Sequence, residues 1–172
     1  MVRFYNDLNC LSFSMLADVY EESNRKNAEL LYPGMDRNAA YLCAEQDFYS
    51  FLSDVFFKTE GAYYGVLQEL NHYCSAVRIE PYRDGLLLSG LETAPKYRRK
   101  GYGTALLSEV LTSVNGSVYS HVEKDNIASL NLHIACGFSV IQNDAIYLDG
   151  TQSDGAYTMR YRAENSEIDI DK

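Results

Sequence analysis

The sequence predicts an α/β fold. Three observations carry that expectation: helical apolar spacing over residues 11–31, short apolar runs with tight turns over residues 62–91, and a strand–helix–strand series over residues 86–122. Hairpins pair strands antiparallel, whereas a strand that returns through a helix pairs parallel, so both kinds of pairing are expected.

Met1 to Tyr5 reads as a short first strand. From Leu11 to Leu31, Phe13, Leu16, Ala17 and Tyr20 recur at helical intervals until Pro33-Gly34 supplies a stop, which predicts the first helix. Phe48, Phe51, Leu52 and Val55 repeat the pattern and Gly61 closes it, which predicts the second. Between Ala62 and Leu91 three strands are broken at residues 69–72 and at Arg83-Asp84-Gly85, where Asp-Gly is a strong hairpin signal. The last of them, Leu86 to Thr93, begins apolar on both alternations, as a central strand covered on both faces does, and Gly90 marks a bulge within it. Leu106, Leu107, Val110, Leu111 and Val114 then share one helical face ending at Asn115-Gly116. Ser117 to Val122 is the next strand. Asp125 or Asn126 caps a helix whose apolar face is Ile127, Leu130 and Ile134, and which stops at Gly137. Phe138 to Tyr147 and Tyr157 to Tyr161 form the final strands around a polar turn. Residues 1–163 are expected to make a single domain and 164–172 an acidic, frayed tail.

A formal net charge of -9 argues against a nucleic-acid partner, which would need a basic face. No apolar stretch is long enough for a bilayer span, so no membrane partner is expected. Cys10, Cys43, Cys74 and Cys136 make no C-x-x-C pair and no signal segment opens the chain, so a reducing cytoplasm is the expectation. His72 with Cys74 and His133 with Cys136 have no second pair at zinc spacing, so no metal is expected.

Against this acidity stands one basic island. Residues 94–103 hold Lys96, Arg98, Arg99 and Lys100 with no acid, and they pass through Gly101 and Gly103 into a helix. The first-turn N–H groups of a helix lack intrahelical partners and its dipole favours negative charge, so this loop reads as an anion cradle for a phosphate-bearing cofactor. A P-loop is excluded because the chain has no Gly-Lys dipeptide, and a dinucleotide fingerprint because its third glycine is replaced by Leu106.

The segment from Leu91 to Gly103, with its Pro95-Lys96-Tyr97-Arg98 turn, resembles the strand and pyrophosphate loop of the GNAT superfamily of acyl-CoA-dependent N-acetyltransferases. Asn126, Ala128-Ser129 and His133, followed by Gly137-Phe138, are similar to a second signature of that family, in the same order. The resemblance implies a mixed, mostly antiparallel central sheet, splayed in the middle between the strands at Leu86–Thr93 and Ser117–Val122, with helices on both faces. It implies acetyl-CoA as cosubstrate, its pantetheine arm along Leu91 and Thr93 and its diphosphate on the loop of Arg98, Arg99, Lys100, Gly101, Tyr102, Gly103 and Thr104, with Asn126 contributing. The implied reaction is direct attack, in a ternary complex, by a primary amine of a small molecule or peptide. Pairing through the final strands into a homodimer is compatible with it.

Acetyl transfer needs an acceptor for the ammonium proton, because alkylamine pKa values lie near 10. Glu92 fits a general base, directly or through water; a salt-bridged or solvated carboxylate is the plain alternative. His133 stands where the family often has a thiolate-protonating tyrosine; an imidazole serves the same acid role, and a solvent-wetted polar face is the alternative. Tyr119 and His121 are reserve candidates, and Tyr32, Tyr41, Tyr49 and Tyr157 hint at an aromatic acceptor pocket. A different class of function on the same fold is a non-catalytic acyl-CoA-binding or sensor domain.

Overall fold

A computed structural model describes residues 1–163. The predicted acidic tail at 164–172 lies outside the described residues. Nine strands are found among those residues, β1 (Val2–Tyr5), β2 (Tyr63–Glu69), β3 (His72–Tyr82), β4 (Gly85–Thr93), β5 (Ser117–Glu123), β6 (Ser139–Gln142), β7 (Ala145–Ile146), β8 (Gln152–Ser153) and β9 (Ala156–Arg162). The helices are α1 (Phe13–Val19), α2 (Glu21–Leu31), α3 (Arg37–Asp54), α4 (Tyr102–Ser113) and α5 (Ile127–Ala135). Seven strands form a mostly antiparallel sheet in the order β1-β2-β3-β4-β5-β9-β6, with β7 and β8 paired separately. β4 is central, as its apolar faces require. Residue contacts divide the chain into two units, Met1–Arg78 with Gly90–Leu106, and Ile79–Ser89 with the chain from Leu107 onward.

In the first unit, β1 and β2 pair antiparallel from Val2↔Leu67 to Tyr5↔Tyr64. Leu16, Val19 and Tyr20 pack with Leu52 and Phe56 against Tyr64, Val66, Tyr73 and Ala76 in one buried cluster. The first predicted helix is in fact two. It breaks at Tyr20, whose backbone stands at φ -94 and ψ 17, and the Tyr20 hydroxyl donates to the Gly90 carbonyl at 2.6 Å. α2 then begins with Glu21, Glu22 and Ser23, acids that suit the positive end of a helix dipole. The second predicted helix starts earlier than its apolar repeat, where the Asp36 carboxylate accepts the amides of Asn38 and Ala39. Val55, expected on its buried face, is instead the exposed residue that ends it.

In the second unit, β4 and β5 pair parallel from Gly85↔Ser117 to Leu88↔Ser120, the crossover expected through α4. β5 pairs antiparallel with β9 along its whole length. The apolar face of α4 is the predicted one: Leu107 and Val110 are fully buried, with Leu111 and Val114 nearly so. The long final strand expected from Phe138 to Tyr147 is divided into β6 and β7. The β6–β9 ladder shifts register between Val140 and Gln142, and the Asp144 backbone carbonyl accepts from the Thr158 hydroxyl at 2.7 Å.

The turn at Arg83-Asp84-Gly85 forms as expected, but its glycine serves another purpose. The left-handed residue is Arg83, at φ 51, whereas a Cβ at Gly85 would stand 2.0 Å from the Ser117 carbonyl oxygen. Both sides of that contact are backbone, so nothing yields cheaply. Gly85→Ala is therefore expected to destabilise the protein by about 1–3 kcal/mol, read as a lower urea midpoint at constant slope.

Candidate functional site

The basic loop takes the shape that an anion requires. After a one-turn helix at Pro95–Tyr97, Arg99 adopts φ 59 and Gly101 φ 82, and α4 begins at Tyr102. Left-handed residues alternating with ordinary ones turn successive N–H groups toward one concavity, which a helix N-terminus extends. Arg99, Lys100 and Gly101 are exposed, so the cradle is open to solvent. Lys96 and Lys100 lie over the Tyr97 ring at 5.1 and 5.6 Å, which gathers their charge beside it. These donors and cations fit a diphosphate.

Glu92 lies in the same unit, half-buried on β4. The Ser23 hydroxyl, from the first turn of α2, donates to its carboxylate Oε1. Arg98 bridges the neighbourhood: its Nη1 is 2.7 Å from Glu22 and its Nε donates to the Thr93 carbonyl at 3.1 Å. Burial pushes the Glu92 pKa above the ordinary carboxylate range, against the lowering effects of the Ser23 hydroxyl and of the Arg98 and Lys26 charges, and Glu22 adds to the rise. A carboxyl group so placed is a better proton acceptor than an exposed one once ionised. The strand beside it is firmly held, since Ser75 donates to the Glu92 carbonyl at 2.5 Å and the Thr93 hydroxyl to Ser75 at 3.1 Å.

Gly90 does mark an irregularity. Its φ is 57, and its carbonyl is held by Tyr20, whose hydroxyl is itself 3.4 Å from that of Tyr64. Sequence reasoning missed Ser23, Tyr20 and Arg98's bond to Glu22. No local signal announces them, because each joins positions about 70 or more residues apart.

Asn126 and His133 belong to the second unit. The Asn126 side chain caps α5 by accepting the Ser129 amide. The apolar face predicted for that helix holds only in part: Leu130 is half-buried, but Ile127 and Ile134 are 59% and 57% exposed, whereas His133 is 2% exposed. His133 packs edge-on against Phe138, and its Nδ1 meets the Ser129 carbonyl oxygen at 2.8 Å. A carbonyl only accepts, so Nδ1 carries the proton and the buried Nε2 has none and no partner. Burial also holds the pKa of His133 below the ordinary imidazole value. With its Nδ1 proton committed to Ser129 and its ring buried against Phe138, His133 is engaged within its own unit.

This burial has a consequence for stability. The unfolded chain binds the His133 proton more readily, so its contribution is complete above about pH 6.5 and is lost as pH falls through that value toward the lower folded pKa. His133→Phe, which keeps a ring against Phe138, is expected to flatten part of the acid-side fall in thermal midpoint.

The reserve residues are engaged elsewhere in the second unit: Tyr119 donates to Asp84, and His121 stands edge-on to Tyr82 and Tyr147 with its pKa lowered by burial. Tyr32 donates to Asp47, Tyr41 lies under Arg25 and Tyr49 meets Phe13. Tyr157, in the second unit, lies under Lys124. A surface hollow of about 580 Å³ bounded by Phe4, Phe57, Lys58 and Tyr63 includes none of the site residues. Among the described residues no group of three or more potential ligands is placed to hold a metal, and no helix is long and apolar enough to cross a membrane.

Residues 16–138 match the acetyltransferase (GNAT) family. The fold is similar to that of the ribosomal-protein-alanine N-acetyltransferase of Escherichia coli, at 17% identity and TM-score 0.59, over 98% of this chain and 100% of the other. It is also similar to the PaiA N-acetyltransferase of Thermoplasma acidophilum in complex with coenzyme A, at 13% identity and TM-score 0.57, over 95% and 99%. A chimera of the Vibrio cholerae spermidine N-acetyltransferase SpeG aligns at 16% identity and TM-score 0.55, over 93% of each chain. Curated protein sequences give no match.

Proposed function

The chain belongs to the acetyltransferase (GNAT) family, and from that premise we propose that it moves an acetyl group from acetyl-CoA to a primary amine by direct attack in a ternary complex. The observation that carries this reading is the pairing, within one unit, of a doubly left-handed basic loop at a helix start with a half-buried carboxylate a few residues upstream. The loop from Arg98 to Thr104 receives the diphosphate, and the backbone of Leu91 and Thr93 receives the pantetheine arm. Glu92, oriented by Ser23, accepts the ammonium proton. The freed amine attacks the thioester carbon, the carbonyl becomes an oxyanion, the carbon–sulfur bond breaks to release CoA thiolate, and the acylated nitrogen gives up its second proton to solvent to leave the acetamide. A backbone N–H aimed at such an oxyanion is worth roughly 2.7–4 kcal/mol. The thiolate has an ordinary pKa near 8.5 and takes its proton from solvent. Asn126 acts by starting α5, and His133 by packing it.

Structural neighbours are named for acetylating a ribosomal-protein alanine, an aminoglycoside and spermidine, which supports a small-molecule or peptide amine as the acceptor. A panel of such amines, read by release of CoA thiol, tests the reading. Turnover with at least one acceptor is expected. Calorimetric binding of acetyl-CoA with no turnover across the panel would instead indicate an acyl-CoA-binding module.

A further inference from the structure

Arg78, on β3, stacks on an aromatic ring but joins no ion pair among the described residues. Its guanidinium lies against Gly90, where a Cβ would stand 3.1 Å from Nη2 and 3.4 Å from Nε, and it lies 5.1 Å over the Phe51 ring. Nε is buried with no hydrogen bond. Arg25 and Arg98, both more exposed, have Glu21 and Glu22; among the described residues Arg78 joins no ion pair. Leaving that Nε buried without a hydrogen bond costs free energy, which an anion paired with the half-buried guanidinium would offset.

Its position gives this cost a use. Gly90 and Glu92 are two residues apart on one strand, about 7 Å at the rise of a β-strand. The Tyr20 hydroxyl on the Gly90 carbonyl is within electrostatic reach of both Arg78 and Glu92. A cation and a base thus flank the same irregular stretch of β4. We propose that Arg78 receives a carboxylate of the acceptor, so that the acceptor is an amine that also bears a carboxylate, an amino acid rather than a polyamine. The planar fork of arginine suits a carboxylate bidentately, while Glu92 takes the proton from the amine end. The inference rests on the acetyl-transfer reading above.

The test compares amino acids with their decarboxylated amines, tyrosine against tyramine and lysine against cadaverine, with spermidine added, by kcat/KM for CoA release. The carboxylate-bearing member of each pair is expected to be better by roughly 10- to 100-fold, the range of a hydrogen bond to a charged group. Arg78→Met, which keeps a long apolar side chain without the charge, and Arg78→Lys, which keeps the charge without the fork, are expected to bring that ratio toward unity. Equal or better turnover of the decarboxylated amines or of spermidine overturns the proposal, as does a ratio that survives both substitutions. Bound acetyl-CoA with no turnover of either class overturns the transfer reading itself, and is distinguished from the first result by the absence of any active acceptor.

Discussion

Glu92→Gln lowers kcat/KM for acetyl transfer by roughly 10²- to 10⁴-fold, the range of general-base contributions, and at neutral pH it raises the thermal midpoint. Both effects follow from one placement. Glutamine keeps the shape of the side chain and still accepts the Ser23 hydroxyl, so the packing against α2 is preserved. What is lost is the group that takes a proton. The gain in stability arises because burial raises the folded pKa of Glu92. The folded chain then holds the proton more tightly than the unfolded one, and stability is lost as pH rises through the raised value. A neutral amide escapes that loss, so the gain in midpoint is present at neutral pH and disappears below the ordinary carboxylate range near 4.3. Thiol release and thermal melts at neutral and acid pH measure the two effects. Unchanged turnover would remove Glu92 from the chemistry, and a lower midpoint at neutral pH would contradict its electrostatic account.

Gly101→Val weakens acetyl-CoA binding by about 10- to 100-fold while leaving the fold intact. A Cβ at this position meets nothing within 4 Å, so crowding is not the cause. The cause is the backbone: φ is 82, and a β-branched residue resists the left-handed region at about 1–3 kcal/mol. Valine either strains the loop or turns its N–H groups away from the concavity. Asparagine tolerates this region, so Gly101→Asn is expected to bind acetyl-CoA several-fold better than the valine variant. Calorimetric titration of both variants distinguishes this from a bulk effect, because equal losses in the two would mean that conformation is not what matters.

The loop was legible in the sequence because its properties are local. Consecutive basic residues, glycines and the apolar face of α4 are all visible within twenty residues. So were the hairpin at Arg83-Asp84 and the crossover to β5, whose signals sit at the turns themselves. The break at Tyr20 was not legible, since no glycine or proline marks it, and the bond from its hydroxyl to the Gly90 carbonyl joins positions far apart in the chain. The face of α5 was misjudged for a different reason. Periodicity ranks isoleucine above histidine, yet His133 satisfies its Nδ1 with a carbonyl of its own helix and offers Phe138 an aromatic ring. Ser23, Glu22 and Arg78 were invisible as site residues, because only folding brings them to Glu92, Arg98 and Gly90.

A crystal structure of the complex with acetyl-CoA tests the central claim most directly. The account predicts the diphosphate on the amides of Lys100 to Thr104 and the thioester carbon within reach of an amine held by Glu92. A diphosphate bound elsewhere, with this turn facing only solvent, would contradict it.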